Sequence, residues 1–162
     1  MSLTQLRNLG IVANAGISTT KLGTGAVLQV VTATYGTYTA STTTTFVDTG
    51  LTASITPTSA SNKILVFAQM NGITKINNTG IEIRLLRGAT TIANFGGLIA
   101  YTGTSLDNRI GGAGLNYLDS PNTTSSVTYK TMFKSVFNIA DVAVQDNGGL
   151  STITLMEIAA WL

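Results

Sequence analysis

The sequence predicts an all-β chain: an antiparallel β-sandwich of jelly-roll type preceded by a short N-terminal arm or stem. Three observations lead there. About eight runs of alternating apolar and polar residues are separated by clusters of Gly, Pro, Asn, Asp and Ser, the pattern of half-buried strands joined by turns. Thr and Ser make up about a quarter of the chain; threonine's branched Cβ favours extended backbone, and both hydroxyls suit turns. A helical period occurs once, in Leu3, Leu6 and Leu9, where Ser2 or Thr4 is a candidate N-cap and Gly10 a stop. At most two turns of helix fit there, too short to be stable without a partner surface.

Residues 1–25 form the arm, since the text from Ile11 to Gly25 is Ala, Gly, Ser and Thr with isolated Ile17 and Leu22 and keeps neither period. Residues 26–162 form the sandwich domain. Ala26 to Thr34 is its first strand, and Tyr35 to Thr45 is a polar loop holding Tyr35 and Tyr38. Phe46 to Thr56 is a short strand ended by Pro57, which has no N–H for a sheet ladder. Lys63 to Ile76 is the longest strand candidate. Both faces of its first half are apolar, so it is expected mid-sheet, in contact with two layers. Ile81 to Arg87 and Thr90 to Phe95 form a hairpin across Gly88-Ala89. Gly96 to Leu118, with Gly111, Gly112 and Gly114, reads as a long loop containing one or two short strands.

The organising strand follows the turn-forming run Asp119 to Ser126. Val127, Tyr129, Thr131, Phe133, Ser135 and Phe137 form its buried side, and Thr128, Lys130, Met132 and Lys134 its solvated side. It is expected to be central. Asp146-Asn147-Gly148-Gly149 is a tight turn, and Ser151 to Leu162 is the last strand.

Composition narrows the chemistry. A chain of 162 residues is long enough to bury roughly 70% of its extended surface in one domain. With no Cys and no His, thiolate chemistry, disulfides, the usual zinc ligands and the commonest neutral-pH base are unavailable. A net charge of +2 from nine basic and seven acidic residues, with no cluster of one sign, argues against nucleic-acid binding. No run approaches the ~18 apolar residues of a spanning helix, so no membrane insertion is expected. Charged residues are 10% of the chain, against about 25% in average soluble proteins, a surface closer to secreted and virion proteins than to cytosolic enzymes.

Several blocks together carry a family resemblance. Gly25-Ala26-Val27-Leu28-Gln29-Val30-Val31, Phe46-Val47-Asp48-Thr49-Gly50-Leu51 and the run Ile55 to Val66 (Ile-Thr-Pro-Thr-Ser-Ala-Ser-Asn-Lys-Ile-Leu-Val) resemble β-sandwich domains of tailed-bacteriophage virion proteins. Asp119 to Lys130 and Ser151 to Ile158 look like the same family, so the likeness spans Gly25 to Ala160. It implies a non-enzymatic virion structural protein without cofactors. It also implies a homotrimer, localised in the virion as a tail-fibre component that contacts the host cell. Related domains end longer fibre polypeptides, whereas residues 1–25 alone precede this one, so decoration of the capsid is the alternative. On either reading the arm, through Leu3, Leu6, Leu9, Ile11, Ile17 and Leu22, anchors the domain to other virion proteins. Tyr35, Tyr38 and Tyr101, in predicted loops, are the candidate surface contacts for a host glycan or protein.

Other motifs have plainer accounts. Asp107 with Asp119, or Glu82 with Glu157, supply the two carboxylates of a glycan hydrolase, a remote third reading. Asp141, Asp146 and Asn147 offer oxygen ligands, but their spacing is not that of a calcium loop and turn formation accounts for them. Gly111, Gly112 and Gly114 lack the Lys-Ser/Thr of a phosphate loop. Asn77-Asn78-Thr79 and Asn122-Thr123-Thr124 match a glycosylation acceptor, relevant only in a eukaryotic secretory route. Lys130 and Lys134 share a face that suits an anionic surface or simple solvation.

Overall fold

The computed structural model describes residues 23–137 and 141–160. Its strands are β1 (Val27–Tyr35), β2 (Thr39–Ser41), β3 (Val47–Ile55), β4 (Lys63–Lys75), β5 (Ile81–Arg87), β6 (Thr90–Ile99), β7 (Asn108–Asp119), β8 (Val127–Ser135), β9 (Val142–Val144) and β10 (Ser151–Ile158). They form two antiparallel sheets packed as a β-sandwich. Sheet A runs β1-β10-β4, with β7 along the free edge of β4 and the short β9 and β2 at its far end; sheet B runs β3-β8-β5-β6.

Strand alternation builds the core. Ile64, Val66, Ala68 and Met70 of β4 and Ile153 and Leu155 of β10 face Leu51 and Ile55 of β3, Tyr129 and Phe133 of β8, and Ile81, Ile83 and Leu85 of β5. Nearly all of these side chains are sealed from solvent, each burial stabilising by about 1.5–3 kcal/mol before entropy is counted. β8 lies between β3 and β5, central as its pattern predicts. Val127 through Ser135 on its predicted buried side are inside. Phe137 is not: the strand ends at Ser135, and the ring is 56% exposed.

The largest departure is β7. Its glycines suggested a loop, yet its twelve residues pair with β4 from Ile64↔Asp119 to Lys75↔Asn108. Those glycines make room for side chains crossing the strand. A Cβ on Gly112 would lie 2.3 Å from Asn71 Oδ1 and 2.5 Å from the Met70 carbonyl, and one on Gly114 would lie 2.6 Å from Gln69 Oε1. Three smaller differences share one cause, pairing partners that are remote in sequence. Tyr35 belongs to β1, opposite Ser151; Thr39–Ser41 is a strand because it pairs with β9; and β10 ends at Ile158.

Candidate interaction surface

The two outer faces of the sandwich differ in kind. On sheet B, Lys130 pairs with Asp48 at 2.8 Å, Lys134 with Glu82 at 3.3 Å and Arg84 with Glu82 at 2.7 Å. Arg84 also lies 4.0 Å over the Phe46 ring. This lattice neutralises the two lysines of the organising strand and suits contact with water.

On sheet A the register places like residues side by side. Val30 of β1 is opposite Met156 of β10, Met156 is opposite Leu65 of β4, and Leu65 is opposite Leu118 of β7. The result is an apolar row across four strands. The next row is Thr32, Thr154, Phe67 and Asn116, and the one beyond is Thr34, Thr152, Gln69 and Gly114. Val30, Phe67 and Leu118 are 54%, 43% and 56% exposed. Lys63 lies at the margin, its ammonium donating to Ser120 Oγ at 2.7 Å, and farther along β7 Arg109 pairs with Asp146 at 2.8 Å. A groove of about 420 Å³ lies on this face between Phe67, Gly114, Asn116 and Thr154. The expectation that β4 touches two layers is therefore met on one side only, because among the described residues Leu65 and Phe67 face outward.

The ends of the sandwich also differ. At the pole where the described chain starts and finishes, Gly25 N–H donates to Ala159 O and Ala159 N–H to Ala26 O, both at 2.9 Å. Beneath them Glu157 is fully buried. Its Oε1 accepts from Thr58 N (2.6 Å), Thr58 Oγ1 (2.8 Å) and Asn62 Nδ2 (2.6 Å), and its Oε2 from Gln29 Nε2 (2.6 Å). Burial alone would raise its pKa, but the hydrogen bonds from Asn62, Gln29 and Thr58 together outweigh burial and hold it below the ordinary value.

The opposite pole is built around Lys75, also fully buried. Its ammonium donates to the carbonyls of Asn77 (2.9 Å), Thr104 (3.0 Å) and Leu106 and to the Thr102 hydroxyl (2.6 Å), gathering the loop between β6 and β7. Above it Tyr101 and Phe137 form an edge-to-face pair with centroids 5.4 Å apart. Both rings are exposed, as is Leu106. The thirteen residues of β4 set these poles about 40 Å apart.

The anchoring residues Leu3, Leu6, Leu9, Ile11, Ile17 and Leu22 lie outside the described residues. Of the three tyrosines, Tyr38 (58% exposed) and Tyr101 are at the surface, whereas Tyr35 packs against the core. A Cβ on Gly50 would sit 2.3 Å from the Tyr35 ring. The acidic residues are held structurally. Asp119 accepts both hydrogen bonds of an Arg87 Nη1 fork (2.9 and 3.0 Å) and the Tyr129 hydroxyl (2.7 Å), tying sheet A to sheet B. Burial first, then the bond to this carboxylate, pushes the Tyr129 phenol far above its ordinary pKa. Asp107 immediately precedes β7 and Asp119 is its last residue, so extended chain sets them about 40 Å apart, where a hydrolase needs about 5–10 Å. Glu82 is on the outer face of sheet B and Glu157 is inside. Asp146 accepts from Thr74 Oγ1 (3.0 Å), Arg109 Nη1 (2.8 Å) and Asn147 N (2.9 Å), consistent with its turn role.

Sequence reasoning missed Lys75, hidden in an alternating strand, and the row Val30, Met156, Leu65 and Leu118, which is assembled by register alone. Comparison with models of known families and with curated proteins found no match.

Proposed function

We propose that this chain is a non-enzymatic bacteriophage virion surface protein, a homotrimeric tail-fibre component that contacts the host cell. The observation that carries the reading is the two-pole arrangement. Residues 1–22 join the described chain at the pole of Gly25 and Ala159, the side suited to attachment on the particle. The Tyr101–Phe137 pair stands at the other pole, the side suited to contact. Charges paired across sheet B and carboxylates tied into structural bonds at Asp119 and Glu157 fit a building part. The pairing β1·β10, β3·β8, β4·β7 and β5·β6 nests like a folded hairpin and supports the jelly-roll reading.

The test is location on the particle. Gold-labelled antibody against this chain is expected to mark the tail of intact virions; label spread over the head would replace the fibre with capsid decoration, and no label on particles would overturn the virion reading. Purified protein is expected to compete with phage for cells, and Tyr101→Ala with Phe137→Ala to reduce that competition.

A further inference from the structure

We infer that the outer face of sheet A is the surface through which identical copies of this chain pack against one another. The inference rests on the reading of the chain as a self-assembling part and deepens it by naming the mating surface.

Single exposed apolar side chains are ordinary, but a contiguous row is not. Val30, Met156, Leu65 and Leu118 form such a row, with Ile158 beside it and Phe67 in the row behind. A strand that is apolar on both faces needs cover on both. Sheet B covers one face of β4; on the other, among the described residues, Leu65 is half-buried and Phe67 stays 43% exposed, a face open to another molecule.

Charge and shape favour a second copy as that molecule. Identical faces meeting across a symmetry axis bring like residues close, and a charged face would repel itself. The apolar row carries a single marginal ammonium, Lys63, engaged by Ser120; farther along the face Arg109 is already paired with Asp146, and the pairs of Lys130 and Lys134 lie on sheet B. An anionic partner, nucleic acid or lipid headgroup, would find nothing to pair with. The face also carries a knob beside a hole. The Phe67 ring forms one wall of a groove of about 420 Å³ that Gln69, Asn116 and Thr154 also line, so one copy's ring can enter its neighbour's groove. Four strands spaced about 4.8 Å and seven residues rising about 3.3 Å each give a projected area of roughly 450 Å². That is a little over half of the ~800 Å² per partner of a standard interface, before side-chain relief and a rim are added.

The test is the mass of the full chain in solution by light scattering at micromolar concentration. The wild type is compared with Val30→Lys/Leu118→Lys on sheet A and Thr52→Lys/Ser54→Lys on sheet B. All four positions are exposed, so folding is preserved and is checked by circular dichroism. The wild type and the sheet B variant are expected to be trimeric, and the sheet A variant monomeric, its self-association weakened at least about 100-fold by two charges buried without partners. A second variant, Phe67→Ser, is expected to weaken association by about 10-fold through loss of the knob. A sheet A variant that keeps the wild-type mass overturns the face and leaves the trimer standing. Dissociation of both double variants also overturns it. A monomeric wild type overturns the trimer as well, and wild-type monomer that binds another virion protein through this face gives the face to that partner.

Discussion

Glu157→Gln isolates the contribution of the buried carboxylate at the pole of Gly25 and Ala159. The substitution keeps shape and removes charge. Its amide oxygen can take the Oε1 position and keep Thr58 N, Thr58 Oγ1 and Asn62 Nδ2, now as neutral hydrogen bonds of about 1 kcal/mol each in place of charge-assisted ones of about 1.5–3. Its NH₂ then faces Gln29 Nε2, a donor against a donor. Gln29 cannot turn over freely, because the same nitrogen donates to Thr56 O at 2.7 Å. Set against the lower cost of burying an amide than a carboxylate, the net loss is about 2–3 kcal/mol, or roughly 5–10 °C in Tm for a chain of this size. The pH dependence has a definite sign. The folded-state pKa is depressed, so the charge stabilises the fold above the ordinary value of 4.5, and this stability is lost as pH falls through the folded value. Wild type and variant should therefore differ near neutral pH and converge on acidification below about pH 4. Thermal unfolding followed by circular dichroism, at one fixed protein concentration because association shifts Tm, reads both. Equal melting near neutral pH, or a gap that persists in acid, would refute the reasoning.

Three further outcomes follow from the same structure. Arg87→Met leaves Asp119 buried without its counter-charge and should cost about 3–5 kcal/mol, while Tyr129→Phe should cost about 1–2; chemical denaturation measures both, and the reverse order would contradict the inter-sheet clamp. Gly112→Ala, whose Cβ would meet the Met70 carbonyl at 2.5 Å, should lower Tm by several degrees, whereas Gly111→Ala, with nothing within 4 Å, should stay within about 0.5 kcal/mol; equal effects would argue against the β4–β7 register. Lys75→Met strands the carbonyls of Asn77, Thr104 and Leu106, so limited proteolysis should cut faster within residues 100–107 while the sandwich persists; unchanged cleavage would remove the lysine from its role in holding the loop.

What was legible in the sequence was local. Alternation in Val127–Ser135 fixed which side of β8 is buried, Pro57 and the Gly88-Ala89 pair marked where strands end, and the apolar run of β4 placed it mid-sheet, though only one of its faces is covered by a second layer. Those signals depend on side-chain direction and backbone restriction, which belong to each segment alone. β7 was illegible for the opposite reason. Its glycines look like a loop until Gln69 and Asn71 are laid across them, and neither residue is near in sequence. Tyr35 likewise looked like a loop aromatic until Gly50 was placed beneath its ring.

The sequence by itself determined that the chain is β-structured, that it holds no Cys and no His, and where most strands begin and end, because period and turn chemistry are written residue by residue. The tertiary structure alone decided that Val30, Met156, Leu65 and Leu118 form one row, that Asp119 joins the two sheets and that Tyr101 stands about 40 Å from the chain's point of departure. Register and layer packing bring together residues as remote in sequence as Gly25 and Ala159, or Gln29 and Glu157, which are 128 positions apart, and no short-range pattern encodes such a meeting.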